Sequence, residues 1–125
     1  MQYFPIFLDT TDLTCLVVGA GEVAARKVEL LLKTSAHITV VAPWVCDTVQ
    51  RFAKEEKIQL FERPYNETDL TDKQIVFVAT DNSELNKQIH DQARAQKILV
   101  NVVDNTPLCQ FITPSIVDRS PIIIA

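Results

Sequence analysis

Apolar residues along this chain follow two alternating patterns. Short continuous runs, rich in β-branched residues, are typical of strands buried on both faces of a parallel sheet. Such runs predict five strands, at Leu13–Val18, His37–Ala42, Ile58–Phe61, Gln74–Ala79 and Ile98–Val103. Two further segments are less regular: Cys109–Ile112 is a candidate for a sixth short strand, and Tyr3–Leu8 is strand-like without a place in the alternation.

The segments between the runs have helical spacing. Apolar residues recur every three or four positions, which predicts helices over Glu22–Lys33, from Val45 to near Glu56, and from Leu85 to about Gln96. Helices of about 12 residues leave room for crossovers between parallel strands. Right-handed crossovers then give an open, doubly wound sheet with strand order 3-2-1-4-5. The pattern therefore predicts an α/β, Rossmann-like fold.

Length and charge exclude several classes of protein. The 125 residues suffice for one domain, and a net charge of -4 disfavours a protein that coats nucleic-acid phosphates. No apolar run in the sequence approaches the roughly 20 residues that span a bilayer, and the N-terminus does not resemble a secretory signal. We expect a cytoplasmic protein that binds neither membrane nor nucleic acid.

Cysteine usage does not indicate a disulfide framework or a metal site. Cys15, Cys46 and Cys109 are odd in number and far apart, and no histidine stands at zinc-like spacing from them. We expect reduced, mostly buried thiols and no metal-ligating residues.

Both glycines of the chain stand in one tripeptide. A chain of this length holds about nine glycines on average, whereas this one has only Gly19 and Gly21. They open the sequence Gly-Ala-Gly-Glu-Val-Ala, which matches G-x-G-x-x-A between a predicted strand and a predicted helix. The first glycine of this motif permits a tight turn, and the second lets a pyrophosphate approach the helix N-terminus. We predict dinucleotide binding, with a purely structural turn as the alternative.

The second predicted strand lacks the acidic residue that binds ribose hydroxyls in many NAD sites. It ends at Ala42-Pro43-Trp44, without an acid and without an arginine for a 2′-phosphate. The residues alone therefore leave both NAD and NADP open. Ribose and adenine would be recognised by backbone groups and apolar contacts around Pro43 and Trp44, although Trp44 has the alternative role of packing on its own domain.

Three predicted strands deliver polar groups to one edge of the sheet. Ligands of open α/β sheets bind beyond the carboxyl ends of the strands, which here carry the glycine loop, Thr80–Asn82 and Asp104. Neighbouring strands are about 4.8 Å apart, so the fifth strand lies roughly 10 Å from the first. Asp104 is the ionisable group best placed to meet a substrate beside the cofactor, unless its Asp-Asn-Thr-Pro sequence serves only as a turn.

Seven sequence blocks, in order, match a known family. They are Tyr3–Leu8, Val17–Lys27, Val40–Pro43, Ala79–Asp81, Asn101–Asp104, Cys109–Ile112 and Pro114–Pro121. Together they resemble the N-terminal part of siroheme synthases, over essentially the whole chain. The resemblance implies NAD-dependent oxidation of precorrin-2 to sirohydrochlorin, followed by insertion of ferrous iron to give siroheme. It also favours NAD over NADP, because the missing acid fits this family.

The resemblance, added to the motif and the sheet edge, assigns roles to individual residues. Asp104 is implicated in both reactions, as the base that accepts substrate protons. Arg119 is the expected cation for substrate carboxylates, ahead of Arg26 and Lys27, with a solvated or structural charge as the favoured alternative for each of the three. The tetrapyrrole itself would ligate the iron. The expected cofactor contacts are Gly19, Gly21, Glu22, Val23, Pro43, Trp44 and Thr80.

The expected organisation is a Rossmann domain over 1–113 and the start of a dimerisation region over 114–125. The apolar run Pro121–Ala125 is typical of an interrupted strand, so we expect a fragment of a homodimeric enzyme, truncated before that region is complete. The resemblance leaves open whether a uroporphyrinogen-III C-methyltransferase domain follows. The alternative function is a regulatory module that senses NAD without chemistry.

Overall fold

The computed structural model describes the chain at residues 1–113, 117–119 and 122–124. Each predicted helix and strand of the alternation is confirmed, with ends that differ from the prediction by at most two residues. Two short 3-10 helices, Glu67–Leu70 and Thr106–Leu108, lie in the connections. The strands are β1 (Thr14–Val18), β2 (His37–Val41), β3 (Gln59–Phe61), β4 (Ile75–Val78) and β5 (Leu99–Val102), and the helices are α1 (Glu22–Leu31), α2 (Asp47–Lys54) and α3 (Ser83–Ala95).

The five strands form one parallel sheet in the order β3-β2-β1-β4-β5, which confirms the predicted Rossmann-like topology. The register pairs Val18 with Val41 on one side and with Val78 on the other, and Val78 with Val102. The carboxyl ends of these four strands therefore lie level with one another, and the loops that follow them share one edge. Separately, β6 (Val117–Arg119) and β7 (Ile122–Ile124) pair antiparallel.

Both faces of the parallel sheet are covered, which explains why its strands are continuous apolar runs. Cys15 and Val17 of β1 face the layer formed by α1 and α2, whereas Leu16 and Val18 face α3. All four side chains are buried. Burial of a leucine or valine side chain stabilises the fold by about 1.5–3 kcal/mol relative to leaving it exposed. None of the helices that the structure describes combines the length and apolar character needed to cross a bilayer.

The segment Cys109–Ile112 is not the sixth strand that the sequence predicts. It runs along β5, but the only backbone hydrogen bond described between them is from the Gln110 N–H to the Val100 carbonyl, at 2.8 Å. One residue on, the side-chain amide of Asn101 donates to the Phe111 carbonyl at 2.9 Å. A side-chain hydrogen bond thus stands where a strand would have a backbone hydrogen bond to β5, and the segment is irregular.

The strand-like segment Tyr3–Leu8 is not a strand either. Within the described chain its backbone forms no hydrogen bond, and Pro5 has no amide hydrogen to donate. Tyr3 is partly buried, but the large side chains that follow it are exposed, Phe4 and Phe7 most of all. The segment therefore pairs with no neighbouring strand among the described residues, although its apolar composition suggested a strand.

Two helices end without the glycine that such ends favour. Helix α3 closes with hydrogen bonds from the Ile98 N–H to the Ala93 carbonyl, at 2.9 Å, and from the Lys97 N–H to the Arg94 carbonyl, at 3.1 Å. These are the two bonds of a Schellman motif, in which the residue after the cap is left-handed and is usually glycine. Lys97 fills that position with φ +59°, and Glu56 ends α2 in the same way with φ +58°.

Candidate active site

Gly19 is required by the backbone itself. Its φ is +108°, and a Cβ added there would lie 2.4 Å from the carbonyl oxygen of Ala79. The Gly19 N–H also donates to the Val41 carbonyl at 3.0 Å, which fixes the turn against β2. No side chain fits between this turn and the end of β4, so the first glycine of the motif shapes the loop.

Gly21, in contrast, is not required by the backbone. It precedes α1 in an extended conformation (φ -86°, ψ -166°) that any residue adopts, and α1 has no side-chain cap. A Cβ added at Gly21 would meet only the Trp44 ring, at 3.9 Å. The first amides of α1 thus face an open space that a side chain would fill. These features fit a pyrophosphate, which a helix N-terminus binds through such amides.

The loop after β2 stands beside the glycine loop. The Cys46 N–H donates to the Ala20 carbonyl at 2.9 Å, which brings Pro43 and Trp44 next to Gly21. The Trp44 side chain is 68% exposed, so it does not pack into the core. The structure therefore brings Glu22 and Trp44 onto one groove with Gly21 beside the Trp44 ring, whereas Val23 and Pro43 are exposed next to them in the sequence.

Thr80 lies in the loop after β4, where its hydroxyl is held by neighbours within the chain. The hydroxyl donates to Oδ1 of Asn86 and accepts from the Asn82 N–H at 3.2 Å. The Asn86 side-chain amide returns a hydrogen bond to the Thr80 carbonyl at 3.0 Å. Asn86 shapes this loop and was missed by the sequence analysis, because nothing in the spacing of a helical asparagine reveals a bond to the preceding loop.

Asp104 lies in a tight turn directly after β5. The Val103 N–H donates to the Val78 carbonyl at 2.9 Å, and the Asn105 N–H closes the turn on the Val102 carbonyl at 3.1 Å. Asp104 itself has φ +61° and is exposed. Within the described residues its carboxylate has no hydrogen-bond or ion-pair partner, so the turn is held by backbone bonds and not by this side chain.

The position of the Asp104 turn is unusual within this fold. The other described non-glycine residues with positive φ precede strands, at the opposite edge of the sheet; they are Asp12, Glu56, Asp72 and Lys97. Asp104 is the one such residue at the carboxyl edge of the described sheet. Left-handed non-glycine residues are concentrated at functional sites. Asp104 thus presents a free carboxylate at the edge that also carries the glycine loop, two strands away.

The predicted substrate cations are only partly described. The side chain of Arg119 lies outside the part of the chain whose side chains the structure describes. Arg26 lines an exposed groove between α1 and α2 together with Glu22 and Trp44. The Lys27 ammonium donates to the Thr113 hydroxyl at 2.9 Å. No group of three or more potential metal ligands occurs among the described residues.

Comparison with known proteins agrees with this geometry. A family model described as NAD(P)-binding matches residues 6–115. The chain is 78% identical over its full length to siroheme synthase of Pseudoalteromonas atlantica, and 46% identical to that of Ruthia magnifica. It covers 27% and 26% of these two proteins, so it spans about a quarter of the length of the curated relatives.

A solved structure is similar to the whole fold. SirC, a precorrin-2 dehydrogenase, superimposes with a TM-score of 0.86 over 98% of this chain and 60% of its own, at 25% sequence identity. The resemblance to siroheme synthases is confirmed, and so is the prediction of a nicotinamide dinucleotide as cofactor. By the match of its sequence, its parallel sheet and its glycine loop, the chain belongs to the NAD(P)-binding family.

Proposed function

We propose that this chain is the dehydrogenase and ferrochelatase part of a siroheme synthase. It would oxidise precorrin-2 to sirohydrochlorin with NAD and then insert ferrous iron to give siroheme. The observation that carries the proposal is the free Asp104 carboxylate, which lies at the sheet edge two strands from the glycine loop. The 78% identity to a siroheme synthase over all 125 residues supports it.

The proposed oxidation divides the work between the two ends of this edge. When bound, NAD accepts the hydride that precorrin-2 loses. The amides at the start of α1 hold the pyrophosphate, and Pro43 and Trp44 border the adenosine end. One strand, β4, lies between β1 and β5, so two inter-strand spacings of about 4.8 Å put their ends about 10 Å apart, and Asp104 would lie on the nicotinamide side. Its carboxylate takes the proton that leaves with the hydride, so precorrin-2 loses two electrons and two protons in all.

Iron insertion needs a base at the same place. Ferrous iron enters as two pyrrole N–H protons leave, and the tetrapyrrole nitrogens supply its ligands. A carboxylate with no partner among the described residues can accept these protons one at a time and pass them to solvent. We therefore assign both reactions to Asp104, with Arg119 as the cation for substrate carboxylates.

The same proposal extends to the organisation of the protein. Residues 1–113 form the NAD-binding domain, and 114–125 begin a region through which two copies dimerise in the cytoplasm. The separate antiparallel pairing of β6 and β7 supports this division, as does the end of the family match at residue 115. A methyltransferase domain elsewhere in the protein is consistent with its longer relatives.

The test is turnover by the complete protein. Precorrin-2 and NAD should give sirohydrochlorin, with one nicotinamide reduced for each molecule oxidised. Absorbance measures both products. Adding ferrous iron should then produce the siroheme spectrum. The Gly21→Val variant is the matched control. Its side chain blocks the pyrophosphate, so it should lose the oxidation step, which depends on NAD. Tight NAD binding with no turnover by the unaltered protein would overturn the proposal and identify a nucleotide sensor.

A further inference from the structure

The thiol of Cys109 bridges the two ends of the turn that carries Asp104. Its Sγ lies 3.1 Å from the Val102 carbonyl oxygen and 3.2 Å from the Asn105 carbonyl oxygen. Val102 is the first residue of this turn and Asn105 is the last. A thiol has one proton, so it donates to these two oxygens in turn or shares its proton between them.

The thiol adds to the backbone bonds that hold this turn. Aspartate adopts a left-handed conformation more readily than most residues, but that conformation is fixed at one place only where its surroundings hold it. On the β4 side, the Val103 N–H holds the turn to the Val78 carbonyl. On the outer side the Cys109 thiol is the only side chain among the described residues that bonds to either end of the turn.

Cys109 is itself well anchored. Its neighbour Gln110 donates its N–H to the Val100 carbonyl at 2.8 Å, and Asn101 holds the Phe111 carbonyl. The Phe111 ring packs edge-on against Phe77 in the core, with the ring centres 5.4 Å apart. The thiol therefore projects from a backbone that is fixed to β5 directly after Cys109.

The thiol is suited to donate rather than to react. Cys109 is half-buried, and this burial is the largest influence on its pKa, which it raises; the positive charge of Lys27 acts in the opposite direction with smaller effect. The group therefore keeps its proton at neutral pH. Protonated thiols are poor nucleophiles, so Cys109 serves the turn and not the chemistry.

We propose that Cys109 is a positioning residue for Asp104, fixing the carboxylate relative to the cofactor and the tetrapyrrole. The inference rests on the proposed function. In an enzyme whose reacting groups are held in place, a displacement of about 1 Å costs up to about a hundredfold in rate. Losing one of several supports of the turn should cost less, and we expect about a tenfold fall in kcat for Cys109→Ala.

The experiment compares single and double variants in the complete protein. Cys109→Ala should lower kcat of the dehydrogenase about tenfold while the affinity for NAD stays unchanged. Cys109→Ser keeps a donor and should recover most of the rate. In the Asp104→Asn background, Cys109→Ala should cause no further loss, because the group it positions is already disabled. Cys15→Ala, which removes a buried thiol far from the turn, is the control for lost packing.

Three outcomes would overturn the inference: a serine variant as slow as the alanine variant, a tenfold loss that persists unchanged in the Asp104→Asn background, or full activity of Cys109→Ala. If Cys109→Ala does not fold, Cys109→Val preserves the volume without a donor and is compared with serine in its place. An Asp104→Asn variant that keeps its full rate would instead refute the proposed function, which separates the two failures.

Discussion

Replacing the two glycines one at a time separates the folding role of the loop from its binding role. Gly19→Ala keeps φ near +108° only with strain of about 1–3 kcal/mol, and its Cβ would lie 2.4 Å from the Ala79 carbonyl oxygen. Because that oxygen belongs to backbone in the sheet edge, relief requires β4 to move. We expect a total loss of at least about 3 kcal/mol, which lowers Tm by roughly 10 °C or more.

The same substitution at Gly21 should leave folding intact. The Gly21 backbone is extended, and alanine there gains about 0.4–1 kcal/mol by restricting the unfolded chain. Gly21→Val, in contrast, fills the space in front of the α1 amides and should weaken NAD binding at least about tenfold, or 1.4 kcal/mol. At an NAD concentration of about 100 times the original Kd, stabilisation by the cofactor should fall from about 2.7 to about 1.4 kcal/mol.

The assay uses the one tryptophan of the chain. Trp44 lies beside Gly21, so its fluorescence during an NAD titration reports binding, and thermal unfolding with and without NAD reports stability. A Gly21→Val variant that folds and binds NAD with unchanged affinity would refute the assignment of the loop. Equal Tm values for Gly19→Ala and Gly21→Ala would refute the steric argument for Gly19.

Three further predictions concern the catalytic turn, a helix end and an ion pair. Asp104→Asn should lower both dehydrogenation and iron insertion by about two or more orders of magnitude with near-normal NAD affinity in the Trp44 titration; chelation that survives while oxidation is lost would show that one carboxylate does not serve both. Lys97→Gly should raise the free energy of unfolding by up to about 1 kcal/mol, because glycine adopts φ +59° without strain. A lower free energy of unfolding in urea denaturation would contradict this. The hydrogen bonds from Arg63, at 2.6 and 3.0 Å, lower the pKa of Asp69. The Asp69 carboxylate therefore stabilises the fold at pH values above its pKa in the unfolded chain. This stabilisation is lost as the pH falls through its lower pKa in the folded protein, so Asp69→Asn should make the free energy of unfolding depend less on pH in the acid range.

Much of the fold was predictable because the sheet is buried on both faces. Apolar runs such as Leu13–Val18 are then unambiguous, and crossover handedness fixes the strand order once the helices are placed. The position of Asp104 followed from the same logic, since the register aligns the ends of β1, β4 and β5. The double glycine was informative because the rest of the chain has none.

The remaining features depend on contacts that spacing does not encode. Cys109–Ile112 has strand-like composition, but Asn101 caps Phe111 through its side chain and no ladder forms. Asn86 and Cys109 bind Thr80 and Val102, which lie six and seven residues earlier in the chain and come close only because the chain turns back between them. A periodic pattern predicts which face of an element is buried, not which single polar group it will reach.

The way β5 is covered also determines where the sheet stops growing. In a parallel sheet, alternate residues of an edge strand point their carbonyls away from the neighbouring strand, and here these are Val100 and Val102. The first carbonyl accepts from the Gln110 amide, and the second from the Asn105 amide and the Cys109 thiol. An exposed row of such groups is a template for another chain. With these acceptors taken, β5 offers a foreign strand no continuous ladder, and the opposite edge is β3, only three residues long. The domain is thereby protected against edge-to-edge aggregation while its carboxyl edge stays open to ligands.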